Sequence, residues 1–333
     1  MRGFARRLTA RKVANGLKIL SSYYLSRITG KPKIWGMPVS LALEPTTACN
    51  LGCPECPSGL KKFSRPTGNL QWEVFQKILD ETAPYLTNLT FYFQGEPFIN
   101  PKFLELVKTA SDRNIFTTTS TNAHFLHDKL AQKTVESGLD RLIVSIDGTT
   151  QEVYEQYRKK GSLEKVLEGT KNVIEWKKKL KSKTPEVVFQ FLVVKPNEHQ
   201  IEEVKQLGEE MGVDQVKFKT AQVYSYKNGN PLIPENEKYS RYKKLSDGTY
   251  GIKNTLDNHC WRMWHSCVVT WDGKVVPCCF DKDAEHGLGT VAQKGFTEVW
   301  NGDGYNQFRR KIMKSRGEVD ICQNCTEGTK VWA

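Results

Sequence analysis

The feature that most constrains the fold is a regular alternation of short apolar runs and longer helical stretches between residues 40 and 220. The short runs are rich in β-branched and aromatic residues, which favours strands, and the segments between them have helical periodicity and length. The predicted strands are 39–43, 89–93, 115–119, 142–146, 187–194 and 215–218. Six β/α units predict an α/β fold with a parallel sheet, either open or curved into a partial barrel.

The rest of the chain differs from this pattern. Residues 221–258 are rich in turn signals, which predicts a connector with one short helix around 235–245. Six of the nine cysteines follow it, so we expect a second, cysteine-rich unit, in which residues 270–276 predict a hairpin turning at Asp272-Gly273. The predicted divisions are 1–38, 39–220, 221–258 and 259–333.

The first 43 residues are strongly basic. They contain nine Lys or Arg and no acid, so nine of the twelve net positive charges belong to this segment, which argues against a nucleic-acid-binding surface on the body. Apolar side chains recur between the charges at roughly helical spacing: Phe4, Leu8, Leu17, Leu20, Tyr24 and Ile28. Such a helix, within residues 1–33, could dock on an anionic membrane surface or partner, or it could pack on the body as an ordinary solvated helix.

Targeting signals are weak. No apolar run approaches the length of a membrane span, and the leader lacks the features of a secretory signal. We therefore expect a cytoplasmic protein, with peripheral membrane contact as an alternative, and the composition of the leader also fits an organellar transit peptide.

The cysteines are odd in number and fall into two distant groups, which favours metal ligation in a reducing compartment over disulfides. Cys49, Cys53 and Cys56 directly follow the first predicted strand. Thiolates select zinc or iron–sulfur sites, and a four-iron cluster normally takes four of them. Three thiolates would leave one iron free to bind a small molecule, whereas no nearby histidine completes a zinc site.

The Cys-x3-Cys-x2-Cys spacing after a first strand resembles that of the radical S-adenosylmethionine (radical SAM) family. The resemblance implies a partial (β/α)6 TIM-like barrel over residues 40–220 and an open-iron 4Fe-4S cluster held by Cys49, Cys53 and Cys56. S-adenosylmethionine would bind the free iron, and an electron from the cluster would cleave it to a 5′-deoxyadenosyl radical. In the family the residue before the third cysteine is usually aromatic, and here it is Glu55.

Three later strand ends also resemble the family. Gln94-Gly95-Glu96-Pro97 is similar to a Gly-Gly-Glu-Pro segment that contacts the amino group of the substrate. Residues 120–122 lie where the family has a Thr-Asn-Gly turn, and 145–148 match its ribose- and carboxylate-binding stretch, although Ser-x-Asp-Gly is also a common helix-capping turn. The resemblance assigns cofactor binding to Gly95, Glu96, Asn122, Ser145, Asp147 and Arg158.

The tail resembles the auxiliary-cluster module called SPASM in its shortened, twitch form, because Gly273-x4-Cys278 and Cys322-x2-Cys325 match and no cysteine follows. This implies one auxiliary 4Fe-4S cluster suited to electron transfer, with a closed zinc site as the alternative. The expected ligands are Cys267, Cys278, Cys322 and Cys325.

Cys260 and Cys279 are left over. Either thiol could return a hydrogen atom to a substrate radical as a catalytic group, as in epimerases that this module resembles, or could simply be a buried apolar residue.

The resemblance implies a radical SAM enzyme of oxidoreductase or epimerase type. Enzymes with this tail act on ribosomally made peptides and on sugars or aminocyclitols, and we expect a sugar-like or other small polar substrate, with a peptide maturase as the alternative. The cluster needs an electron donor such as a reductase, a flavodoxin or a ferredoxin. A hypothesis of another class is an iron–sulfur electron-transfer protein without a substrate of its own, but such a carrier does not need the strand-end loops.

Overall fold

The computed structural model describes residues 5–331 and has an α/β fold with a parallel sheet, as the sequence predicts. Six strands pair in parallel in chain order. They are β1 (Ser40–Leu43), β2 (Asn88–Thr90), β3 (Phe116–Thr121), β4 (Arg141–Ser145), β5 (Glu186–Val193) and β6 (Gln215–Thr220).

One helix of the core precedes β1, and the others connect the strands, as right-handed β/α crossovers require. They are α1 (Ala10–Thr29), α2 (Pro57–Leu60), α3 (Trp72–Thr82), α4 (Phe103–Asp112), α5 (Asp128–Glu136), α6 (Gln151–Tyr157), α7 (Leu163–Lys179) and α8 (Ile201–Met211), with 3₁₀ turns at Pro97–Ile99 and Lys195–Gln200. One continuous apolar core lies between the helices and the sheet. Phe75 and Ile78 of α3 meet Leu89 and Phe91 there, all fully buried, and each such side chain contributes about 1.5–3 kcal/mol.

The cysteine-rich tail continues the same sheet. Its strands are β9 (Ser266–Val269), β10 (Lys274–Val276) and β11 (Gly289–Thr290), and β9 pairs in parallel with β1, so that Cys267 lies opposite Leu41. The predicted hairpin is present between β9 and β10, and Gly273 in its turn has a φ of 84°. The predicted core and tail therefore share one nine-stranded sheet.

The remaining elements of the tail are helical. They are α9 (Arg262–His265), α10 (Val291–Lys294), α11 (Phe296–Asn301), α12 (Asp303–Ser315) and α13 (Asp320–Gln323), with a 3₁₀ turn at Arg316–Glu318.

The prediction of a helix at 235–245 is wrong. The segment forms a single 3₁₀ turn, Glu237–Tyr239, and then a hairpin of β7 (Tyr242–Lys244) and β8 (Tyr250–Ile252). The turn at Gly248, with a φ of 85°, reverses the chain, and Tyr242 stacks on Tyr226 with ring centroids 4.6 Å apart. Aromatic side chains favour strands, and here their packing overrides local helix propensity.

Helix α1 crosses the amino ends of the strands. Arg7, just before it, pairs with Asp140 at 3.0 Å, and the side chain of Asn15 exchanges two hydrogen bonds with the backbone of Met37. Helix α1 therefore packs on the body, which is one of the two alternatives that the sequence predicts. Its predicted apolar residues are nevertheless largely exposed, while Phe4 and Arg2 lie outside the described residues.

None of the helices within residues 5–331 is both long and apolar enough to cross a membrane.

Candidate functional site

The first cysteine group lies on the loop that follows β1, at the carboxyl ends of the parallel strands. Cys53 is buried, and Cys49 and Cys56 are partly buried. The loop is held by its neighbours, because the thiol of Cys56 lies 3.6 Å from Oε1 of Gln94 and Nη1 of Arg158 lies 3.8 Å from the sulfur of Cys53. Three thiols thus lie on one short, anchored loop.

The electrostatics of this loop fit a metal centre. The pKa of Cys49 is raised to about 12, mainly by burial, and the carboxyl of Glu96 and the thiols of Cys56 and Cys53 contribute to this rise. Neighbouring thiols in such a place ionise together only when a cation neutralises them, which iron would do. No three His, Cys, Asp or Glu side chains in residues 5–331 converge on the geometry of a single metal ion. The ligands of a four-iron cluster bind separate irons and need not converge on one point.

Glu96 links two strand ends. Its carboxylate accepts hydrogen bonds from the hydroxyl of Thr121 at 2.7 Å and from the backbone N–H of Asn122 at 2.8 Å. Burial nevertheless raises its pKa to about 7. The side chain of Asn122 donates to Asn50 of the cysteine loop at 2.8 Å, so three predicted site segments form one hydrogen-bonded unit.

The residue before Glu96 is Gly95, whose φ of 75° favours glycine. A Cβ atom there would collide with the backbone carbonyl of Thr46. Gln94, which replaces the first glycine of the family segment, is not among the residues with positive φ, so the replacement needs no unusual backbone conformation.

Asp147 and Arg158 form a buried pair. Nε of Arg158 donates to Oδ2 of Asp147 at 2.5 Å, and the backbone N–H of Leu192 donates to Oδ1 at 2.7 Å. The structure thus pairs two residues that the sequence resemblance assigns to cofactor binding, and it places the guanidinium of Arg158 beside Cys53. Ser145 lies one strand from Ser120, with 3.4 Å between their hydroxyls, on the partly open inner side of the sheet.

The tail brings together a different set of thiols from the expected one. Burial raises the pKa of Cys322 to about 12, where Arg316 acts to lower it and the thiols of Cys260 and Cys325 contribute to the rise. The same neighbours act on Cys278, where burial, Cys279, Cys260 and Cys325 all raise the pKa. Cys260, Cys278, Cys322 and Cys325 therefore form the tail cluster of cysteines.

Cys267 lies apart from this cluster. It belongs to β9, where the alternation of side chains turns it into the core beside Tyr305 and Arg309. It is 2% exposed, and burial raises its pKa strongly. The sequence signal for this placement is the strand itself, because a cysteine at a core-facing strand position packs as a small apolar residue.

Arg316 lies beside the tail cluster, and the sequence analysis does not identify it as a functional residue. Its Nη2 lies 3.5 Å from the sulfur of Cys325, and the guanidinium also donates to the carbonyls of His259 and Glu327. A cation among four thiols lowers the cost of ionising them. Gly328 lies so close to Cys260 that a Cβ atom would collide with the sulfur.

Cys279 lies between the parallel strands and the tail. All nine cysteines lie within the described residues, and Cys279 is the one that is exposed. Burial of its thiol nevertheless raises its pKa, and the charged groups close to it include Lys219 of β6 and the ion pair of Arg262 with Glu327. Tyr92, which follows β2, also lies close to this thiol.

The tail and the cysteine loop are in contact. Nζ of Lys282 donates to the carbonyl of Glu55 at 3.4 Å, and the carboxylate of Glu55 accepts from the backbone of Tyr224 at 2.8 Å. Glu55 thus joins loop, connector and tail. Two cavities of about 470 and 410 Å³ lie beside it between connector and tail, and both are lined by Gln222, Tyr224, Phe280 and Ile321.

Comparisons with known protein families match both halves of this arrangement. A model of the Radical SAM superfamily matches residues 43–208, and a model described as an iron–sulfur cluster-binding domain, SPASM, matches residues 260–326.

Two curated relatives are similar over most of their length. A tungsten-containing aldehyde ferredoxin oxidoreductase cofactor-modifying protein of Pyrococcus furiosus is 25% identical over 315 residues, which cover 81% of this chain and 82% of the relative. An AdoMet-dependent heme synthase of Methanosarcina barkeri is 24% identical over 324 residues, which cover 86% and 88%.

Solved structures share the fold. Streptococcus suis SuiB bound to S-adenosylmethionine has a TM-score of 0.63 at 15% identity, covering 93% of this chain and 76% of SuiB. BtrN in complex with AdoMet and 2-DOIA has a TM-score of 0.53 at 16% identity, covering 87% and 94%.

Proposed function

Because the chain belongs to the radical SAM superfamily and carries a SPASM iron–sulfur domain, we propose that it takes a hydrogen atom from a carbon of a small polar substrate and returns one from Cys279. The observation that carries the proposal is the position of Cys279, which is exposed and lies close to Tyr92 after β2 and to Lys219 of β6. Return of a hydrogen atom to the opposite face of the carbon changes its configuration, so the reaction is an epimerisation.

The residues of the first loop would hold the catalytic cluster. Cys49, Cys53 and Cys56 supply three thiolates, and Arg158 contributes positive charge beside Cys53. When the four-iron cluster and S-adenosylmethionine are bound, one-electron reduction cleaves S-adenosylmethionine to methionine and a 5′-deoxyadenosyl radical, which takes the hydrogen atom of the substrate.

The strand-end residues position this chemistry. Glu96 is fixed by Thr121 and Asn122, so its carboxylate can receive an amino group without rearranging. Asp147 holds Arg158 in place, while Ser145 and Ser120 offer hydroxyls on the inner side of the sheet. We assign cofactor binding to these loops and to Gly95, where the backbone approaches the cysteine loop closely.

The tail supplies the hydrogen atom and the route for its replacement. Cys279 gives its S–H hydrogen atom to the substrate radical and becomes a thiyl radical, which one electron and one proton return to the thiol. Cys325 lies near Cys279, and with Cys260, Cys278 and Cys322 it would hold an auxiliary cluster, which would supply electron transfer at this place, with an outside donor of flavodoxin or ferredoxin type as the source of electrons. Cys260 belongs to that ligand set, so we do not propose it as the hydrogen donor.

The names of the two curated relatives support a small substrate, because they concern a cofactor-modifying protein and a heme synthase. A reducing, cytoplasmic location fits free cysteines and oxygen-sensitive clusters.

The test uses the protein reconstituted without oxygen, in D₂O, with the small-molecule fraction of a cell extract. The thiol of Cys279 exchanges its hydrogen for deuterium, so the product should have the mass of the substrate with one hydrogen replaced by deuterium. Cys279→Ala should still form deoxyadenosine but place no deuterium from the thiol in the product.

Other outcomes would replace the proposal. A product two hydrogens lighter than its substrate would indicate oxidation, and deuterium incorporation that persists in Cys279→Ala would exclude this thiol. Product formed only from the peptide fraction would indicate a peptide maturase. No deoxyadenosine from any fraction would favour an electron-transfer protein.

A further inference from the structure

The outer surface of α1 carries an unusual concentration of exposed apolar side chains. Ten large hydrophobic residues are exposed within residues 5–331, and six of them fall between positions 8 and 35. These six are Leu8 (41% exposed), Val13 (47%), Leu17 (60%), Tyr24 (46%), Ile28 (83%) and Trp35 (52%). Scattered exposed apolar residues need no explanation, but a contiguous group marks an interaction surface.

The helix has the reverse of the usual amphipathic arrangement. Lys12, Asn15, Ser22 and Ser26 are buried against the body together with the fully buried Ile19 and Tyr23. The polar members of this face are satisfied: Lys12 donates to the carbonyl of Asn114 at 2.5 Å, and Ser26 accepts from the N–H of Lys33 at 2.8 Å. Packing on the body therefore does not use the apolar stripe.

The stripe runs along the whole helix. Val13, Leu17, Tyr24 and Ile28 are separated by four, seven and four residues, so they share one side of the helix, which points away from Ile19. Twenty residues of helix extend about 30 Å. The result is a straight, convex ridge and not a pocket for one ligand.

The charged side chains of the helix itself are all positive. Lys18 lies along one edge and Arg27 along the other, both exposed, and Lys31 and Lys33 follow the end of the helix. The sequence has no acid before Glu44. Lysine and arginine beside an apolar ridge can extend their stems along it and place their charges at the level of lipid phosphates.

A groove beside the helix continues the same surface. It has a volume of about 460 Å³, and its lining includes Arg11, Lys18 and the half-exposed Trp35. Tryptophan is enriched at the boundary between water and apolar lipid, and two cations beside it suit a phosphate group.

We propose that this surface, residues 8–35, docks the protein on an anionic phospholipid bilayer, with the apolar ridge in the headgroup boundary and the lysines and arginines at the phosphates. We choose a bilayer over a protein partner because a convex ridge with cations on both edges, in a segment without acids, matches an extended anionic surface.

The position of α1 sets the orientation of the docked protein. The helix contacts the amino ends of the strands, through Asn15 to Met37 and Tyr23 to His259. The cysteine loop lies at the opposite, carboxyl ends. Docking through α1 therefore leaves the cysteine loop facing away from the bilayer, accessible to a substrate in water.

The test is flotation of the reconstituted full chain with vesicles of phosphatidylcholine alone or of phosphatidylcholine with phosphatidylglycerol. We expect the protein to float with the anionic vesicles only, and to dissociate as salt is raised. The variant Leu17→Asp/Ile28→Asp should lose flotation to the level seen with neutral vesicles. The matched control is Leu180→Asp/Leu245→Asp, whose leucines are 42% and 40% exposed but lie outside the surface, and it should float like the wild type.

All four residues are exposed, so the variants should fold, which circular dichroism and deoxyadenosine formation check. Absence of flotation with anionic vesicles, or flotation that survives Leu17→Asp/Ile28→Asp, would overturn the proposal. A third result would also overturn the proposal: the wild type floats with neither kind of vesicle and sediments as a dimer, and Leu17→Asp/Ile28→Asp is a monomer. That result would assign the ridge to contact between copies of this chain.

Discussion

Arg158 reaches the sulfur of Cys53 with one arm of its guanidinium, at 3.8 Å, while its Nε donates to a carboxylate buried at the end of the fourth strand. The cation thereby joins the loop of the predicted metal centre to the parallel sheet. A thiolate that will bind iron gains from a fixed neighbouring positive charge, and a buried carboxylate keeps that charge in place.

Removal of this cation should cost stability. Arg158→Gln leaves Asp147 buried without its partner, which we expect to lower the free energy of unfolding by about 3–5 kcal/mol. Adding Asp147→Asn removes the unpaired charge, so the double variant should lose less than the sum of the two single variants. Urea denaturation measures the free energy of unfolding of the wild type, both single variants and the double variant. Strictly additive losses in the double variant would contradict a direct interaction.

The ligands of the auxiliary centre can be distinguished by iron analysis. Cys260→Ala should lower the iron content from about eight to about four atoms per chain, because Cys260 lies with the tail cluster. Cys267→Ala should keep about eight, because Cys267 packs in the core beside Tyr305. Loss of iron in Cys267→Ala but not in Cys260→Ala would restore the ligand set expected from the sequence. A wild type with about four irons and zinc would identify the tail site as a structural zinc site.

The end of the first strand is held by a second buried ion pair. Arg65 donates to both oxygens of Glu44, at 2.8 and 2.6 Å, and the backbone of Trp271 in the tail donates to the same carboxylate. Arg65→Met should therefore lower the free energy of unfolding by about 3–5 kcal/mol. The exposed Lys62→Met serves as the control and should change it by less than about 0.5 kcal/mol. Equal melting temperatures for the two variants would contradict the prediction.

Glu96 should make stability depend on pH. Burial raises its pKa from the ordinary 4.5 to about 7, so the folded chain binds more protons than the unfolded chain between these values. The free energy of unfolding should therefore fall as pH rises from about 4.5 to about 7, by at most about 3 kcal/mol. Glu96→Gln should remove this contribution and the exposed Glu105→Gln should not. A profile unchanged in Glu96→Gln would show that the carboxyl titrates at its usual pH.

The sequence predicts the order and direction of the strands well, because hydrophobic periodicity records burial directly. It extends β2 to residue 93, whereas the ladder ends at Thr90 before the chain turns at Gly95. It assigns Cys267 to the auxiliary centre because spacing alone cannot show which face of β9 a side chain occupies. The joining of β9 to β1 is a contact over more than 200 positions that local patterns do not contain.

The central claim is that Cys49, Cys53 and Cys56 hold the cluster that cleaves S-adenosylmethionine. The measurement is deoxyadenosine formation, with iron and zinc content, for the anaerobically reconstituted wild type and for the variant in which all three cysteines are replaced by alanine. We predict about eight irons and deoxyadenosine for the wild type, and about four irons and no deoxyadenosine for the variant. Deoxyadenosine from the triple variant, or a wild type that binds no iron, would contradict the claim.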